Sequence, residues 1–191
     1  MIILVAVSAT VSAQAPGDMA LARELSDSRT RAKAVADIVA SNGSTLPLLL
    51  VWAQAPPADV DQHELDIGLA DVFGELKTKE AIPFLVGNIG LRRDHRVNVW
   101  LKTPGAIEKE LPAAAALIRI GPEGAKAVIQ AYWQPMLAED RAAAIFVVTK
   151  TVEASPNAVP EARGFLQSAL AHLRIDRLLA EEGLEGLDRK N

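Results

Sequence analysis

The sequence predicts an all-α fold, and three observations predict it. In eight separate segments apolar residues recur at i, i+3, i+4 and i+7, the spacing that puts them on one face of a helix. Half of the residues are apolar but only 4% are aromatic, so the surplus is mostly Ala, Leu, Val and Ile. Ala and Leu lose little side-chain entropy in a helix and favour it. Short breakers separate the segments, and sustained strand-like alternation occurs nowhere except over a few residues near Val97.

Taken in order, a short helix is expected near Met19 and Leu25, where it would act as a cap. Ala32, Val35, Ala36 and Val39 form the first full stripe, and Leu46, Leu49, Leu50 and Ala53 the second. Leu65, Leu69, Val72, Phe73 and Leu76 make the third; Ile82, Leu85, Val86 and Ile89 make the fourth. The fifth and sixth are Ala113, Ala116, Leu117, Ile120 and Ala125, Val128, Ile129, Tyr132. Ala142, Ile145, Phe146 and Thr149 precede the last, Leu166, Ala169, Leu170 and Leu173. Asn42-Gly43-Ser44, Lys77-Thr78-Lys79, Gly121-Pro122-Glu123-Gly124 and Ser155-Pro156-Asn157 supply the turns and caps between them. Connections this short make neighbouring helices antiparallel. The breakers recur roughly every 35 to 45 residues, the spacing of two-helix repeats, which gives four pairs.

Thr45-Leu46-Pro47-Leu48-Leu49 and Ala81-Ile82-Pro83-Phe84-Leu85 resemble the opening of the second helix of a HEAT or HEAT-like (phycobilisome-lyase type) repeat. Proline suits that place because first-turn N–H groups have no helical acceptor. Ala115 to Gly121, followed by Ala125 to Ile129, resembles a third repeat with Lys126 where proline is usual, and the fourth pair is degenerate. The resemblance covers residues 30–173 and implies an α-solenoid, a right-handed armadillo-like superhelix of about four helix pairs. It bears on packing positions and is nearly silent on activity.

The organisation expected is a signal peptide over 1–13, the repeat domain over 14–182 and a tail over 183–191. Residues 2–11 are apolar, and Val11-Ser12-Ala13 offers small residues where a signal peptidase cuts, although no Lys or Arg precedes the run. That run falls short of the ~20 residues that span a bilayer. A periplasmic or secreted location is expected on this pattern, with no membrane span once the leader is removed. Glycines and charges dominate the tail. The absence of cysteine excludes disulfides, thiolate metal sites and cysteine nucleophiles. A net charge of −4 gives no general attraction to nucleic acid or anionic membranes.

The stretch 91–106 departs from the repeat as an inserted loop. Within it Arg92, Arg93, His95, Arg96 and Trp100 form a local basic and aromatic cluster. Arginine pairs bidentately with carboxylate or phosphate, so the cluster is a candidate partner contact; the other reading is a solvated connector. Trp52 and Trp133 lie off the tightest stripes of second helices. The resemblance makes such helices line the concave surface, which would make both rings contact residues. The alternative hides them between repeats.

Asp59, Asp61, Glu64 and Asp66 surround His63, but the stretch lacks the glycine of a calcium loop, and Ile67 stands where a zinc helix needs a second histidine. Acidic residues near a helix start are favoured by the helix dipole alone. Glu139-Asp140 reads in the same way as a helix start, and Asn42-Gly43-Ser44 reads as a turn, though it also matches a glycosylation sequon. His63, His95 and His172 are far apart, and no phosphate loop, nucleophile elbow or zinc helix occurs. No catalytic residue, metal or cofactor is therefore expected. The function expected is non-catalytic binding of a protein or peptide. The alternatives are an enzyme accessory or lyase-like protein, since similar repeats occur in bilin lyases and DNA-repair glycosylases, and a purely structural assembly component.

Overall fold

Asp61 opens the longest helix of the first half by accepting a hydrogen bond from the Glu64 backbone N–H at 3.1 Å, which satisfies one of the donors a helix start leaves open. The computed structural model describes residues 16–94 and 103–171. The helices are α1 (Pro16–Ser26), α2 (Arg31–Ala40), α3 (Leu46–Trp52), α4 (Gln62–Glu75), α5 (Ile82–Gly87), α6 (Pro104–Glu110), α7 (Pro112–Ile120), α8 (Pro122–Tyr132), α9 (Ala138–Ala154) and α10 (Ala162–Ala169). A 3-10 turn, Lys79–Ala81, leads into α5. Among the described residues there is no strand, and the fold is all-α.

Proline stands at the first or second position of α3, α5, α6, α7 and α8, where its missing N–H costs nothing. Asn42 (φ 56°) and Gly43 (φ 67°) turn the chain out of α2 through the left-handed region, and Gly121 (φ 87°) separates α7 from α8. The leader 1–13, the tail 183–191 and residues 95–102 of the insertion, with the strand-like residues near Val97, lie outside the described residues.

Two features differ from the expectations raised by the sequence. The insertion runs into a helix, because Thr103-Pro104 starts α6, and the break at Leu111-Pro112 separates it from α7. The first helix is more than a cap. It packs along α4 as well as α2, and its C-terminal end comes so close to α4 that a Cβ on Gly68 would lie 2.6 Å from the Leu25 carbonyl oxygen.

The helices meet in chain order. α1 packs on α4, α4 on α7, and α7 on α9. Alongside them α2 rests on α1 and α4, α5 on α7 and α8, α8 on α7 and α9, and α10 on α9. Small residues set the closest approach: a Cβ on Gly74 of α4 would lie 2.9 Å from the Ala116 Cα of α7. One continuous core runs through this series, with Leu25, Trp52, Leu69, Phe73, Leu117 and Phe146 among its members. Arg31 is buried with it; its Nε donates to the Leu25 carbonyl at 2.8 Å and its Nη2 pairs with Glu64.

Candidate binding surface

Arg92 and Arg93 emerge from α5 beside helices that carry acids, and both are engaged within the chain. The Arg92 side chain, only 13% exposed, pairs through its guanidinium with Glu139 in the first turn of α9, and the Arg92 carbonyl accepts from His63 Nε2 at 3.0 Å. Arg93 pairs with Asp71 of α4, donates from Nε to the Lys109 carbonyl at 2.9 Å, and donates from its backbone N–H to the Glu110 carbonyl at 3.0 Å. Of the two readings of these arginines, partner contact or connector, the contacts within the chain give the second a physical basis: they fasten the segment after α5 to α4, α6 and α9. His95, Arg96 and Trp100, the rest of that cluster, lie outside the described residues.

The two tryptophans separate. Trp52 is fully buried, so it presents no contact surface. Its helix is covered on more than the striped face, and its Nε1 has no hydrogen-bond partner. Trp133 is 49% exposed at the end of α8. It stands edge-on to Tyr132 at 5.0 Å and to Phe165 at 6.4 Å, while Tyr132 and Phe165 meet edge-on at 4.9 Å. Such pairs hold rings in fixed orientation. Arg141 covers the Tyr132 ring at 5.2 Å from its centroid.

Four residues after Trp133, the turn from α8 to α9 carries Leu137, 72% exposed. Here lies an open pocket of about 650 Å³, walled by Val86 and Ile89 from the α5 side and by Ala131, Met136 and Leu137. Asp140 is the one charged residue lining it among the described residues. Its carboxyl is held above the ordinary carboxylate range, first by burial, with the Glu139 charge adding to it and the Leu137 backbone N–H and Arg92 opposing. Gly90 makes room for this carboxylate, since a Cβ there would lie 1.9 Å from Oδ1.

A second groove, about 540 Å³, runs along Ala32, Val35, Ala36 and Val39 of α2 beside Asp71, Glu75 and Arg119. Its charges are paired among themselves, Arg119 with Glu75 at 3.2 Å and Asp71 with Arg93. A third pocket, about 520 Å³, shares Asp71 and Arg119 with it and extends over α6.

The acidic group around His63 is taken up structurally: Asp61 caps α4 and Glu64 pairs with Arg31. Asp66 has its carboxyl raised by burial, with His63 opposing. Among the described residues no group of three or more His, Cys, Asp and Glu is arranged to hold a metal, and no helix is long and apolar enough to cross a membrane. His172 lies outside the described residues. Sequence reasoning singled out Trp133 but read Asp140 only as a helix start and missed its pocket. No local signal marked it, since Gly90, two residues after Asn88, reads as an ordinary turn glycine. The chain matches no known protein-family model, and a comparison with curated proteins likewise found no match.

Proposed function

We propose that the chain is an exported, non-catalytic binding module, a right-handed α-solenoid of HEAT-like helix pairs that holds a protein or peptide partner. The observation that carries this reading is the order of packing, α1 on α4, α4 on α7 and α7 on α9, with α5 and α8 alongside. In stacked repeats each unit touches only its neighbours, and the stack recognises a partner by shape over an extended surface. The exposed Trp133 and Leu137 give that surface an apolar anchor of the kind favoured at interfaces. Export rests on the leader pattern that ends at Ala13.

The test is affinity capture from the native envelope fraction with mass-spectrometric identification, the Trp133→Ala chain run in parallel. A discrete protein retained by the parent and reduced with the variant supports the module. A retained pigment, nucleotide or metal in its place overturns it in favour of an enzyme accessory or lyase-like protein. Protein recovered from its native cells is expected to begin near Gln14; an intact Met1 in the cytosol removes the export claim.

A further inference from the structure

We infer that the pocket between α5 and the α8–α9 turn receives a lysine or arginine side chain of the partner segment, its charged end on Asp140 and the apolar residues beside it on Leu137. The inference rests on the binding-module reading above and names the chemistry of its partner.

Three observations converge on a cation with an aliphatic stem. Val86, Ile89, Ala131 and Met136 give the pocket a mainly apolar wall, with Gln134 the polar side chain beside Asp140 in its lining, which suits the methylene chain of lysine or arginine. Asp140 supplies a single carboxylate in those walls, and no cation lines the pocket among the described residues. The acid next to it in sequence, Glu139, already holds Arg92. Asp140 takes part in none of the ion pairs among the described residues, the nearest cation acting on it being Arg92. A partly desolvated carboxylate whose nearest cation, Arg92, is committed to Glu139 gains from a further cation that arrives with its own apolar cover.

Gly90 argues that the carboxylate is kept in place. Its backbone is not in the left-handed region, so conformation does not call for glycine there. Space favours it: a Cβ there would meet Asp140 Oδ1 at 1.9 Å, so a side chain at this position would turn the carboxylate away from its present place. The α2 groove offers no comparable preference, because Asp71, Glu75, Arg93 and Arg119 neutralise one another. A protein segment fits the site better than a free amine, since Leu137 stands 72% exposed at its lip and offers apolar surface to residues flanking the cation.

The test uses the full chain and a short, end-capped, fluorescein-labelled peptide with one lysine between leucines. Matched peptides carry norleucine or glutamate at that place. Anisotropy should show the lysine peptide bound about tenfold more tightly than the norleucine peptide, with glutamate weakest. Asp140→Asn should abolish the lysine preference and leave norleucine binding unchanged. Gly90→Ala should reduce that preference with Asp140 still present, thermal melting confirming that both variants fold. Equal binding of lysine and norleucine by the parent, or a preference that survives Asp140→Asn, overturns the inference. Capture of the envelope partner undiminished by Asp140→Asn would then leave the binding module standing without this pocket. A concentration-dependent dimer broken by Leu137→Ser assigns the lip to a second copy and also overturns it.

Discussion

His63 of α4 donates from Nε2 to the carbonyl oxygen of Arg92 at 3.0 Å, while the guanidinium of the same arginine reaches Glu139 of α9. One residue thereby links the start of α4, the exit from α5 and the start of α9. Arg92→Ser should therefore act on stability. Loss of the packed stem and its ion pair is expected to cost about 1 kcal/mol. Arg93→Ser should cost a similar amount, since it releases Asp71 and the Lys109 carbonyl together. Chemical denaturation of each variant checks this; a weakened partner complex with unchanged midpoints would return both arginines to the interface.

Glycines that look alike in sequence should respond oppositely to alanine. Gly74→Ala sets a methyl group 2.9 Å from the Ala116 Cα and should destabilise by about 1–3 kcal/mol despite alanine's better helix propensity. Gly164 in α10 has nothing within 4 Å of its would-be Cβ, so Gly164→Ala should stabilise by about 0.5–1 kcal/mol. Urea midpoints of the two variants should move to opposite sides of the parent.

The tryptophans give a second contrast. Trp52→Ala removes a fully buried ring and should cost about 3–5 kcal/mol. Trp133→Ala, half exposed, should cost under about 1 kcal/mol while weakening the partner complex. Comparable losses of stability would show that Trp133 is a core residue in solution.

Acid should act on two aspartates with opposite sign. Arg29 hydrogen bonds hold the Asp27 carboxyl at about 2, below the ordinary 3.8, so its contribution is full above 3.8 and is lost as pH falls through about 2. Burial raises the Asp140 carboxyl, so the folded chain binds its proton more readily than the unfolded chain. Its ionisation destabilises the fold above the raised value, and that penalty disappears as pH falls below 3.8. Asp140→Asn should melt above the parent at neutral pH, with the difference closing in acid. Asp27→Asn should melt below it, the difference closing only near pH 2. Melting curves across this range check both signs.

Most of the helices were legible because their stripes are local: eight segments from Ala32 to Leu173 locate α2 to α5 and α7 to α10. Helix α6 was hidden, since Thr103-Pro104-Gly105 reads as a loop and only Ile107 and Leu111 mark an apolar side. The stripe left Trp52 open between contact and burial, because periodicity reports one covered face; α3 is covered on more, and the ring is buried. The basic cluster looked unpaired because its acids are distant: Glu139 lies 47 residues from Arg92 and Asp71 lies 22 from Arg93. Pairing at that range is a product of folding and leaves no local spacing. Trp133 was visible as an off-stripe aromatic, whereas the Gly90–Asp140 contact, made between segments 50 residues apart, was not.

The chain-order packing of α1, α4, α7 and α9 has a kinetic consequence. No helix waits for the far end of the polypeptide before finding its neighbour, so the entropy lost in closing each loop stays small and folding should be rapid. Opening should in turn be graded, beginning at the ends of the row. The amides of α4 and α7, each with a helix on both sides, should exchange their hydrogens last.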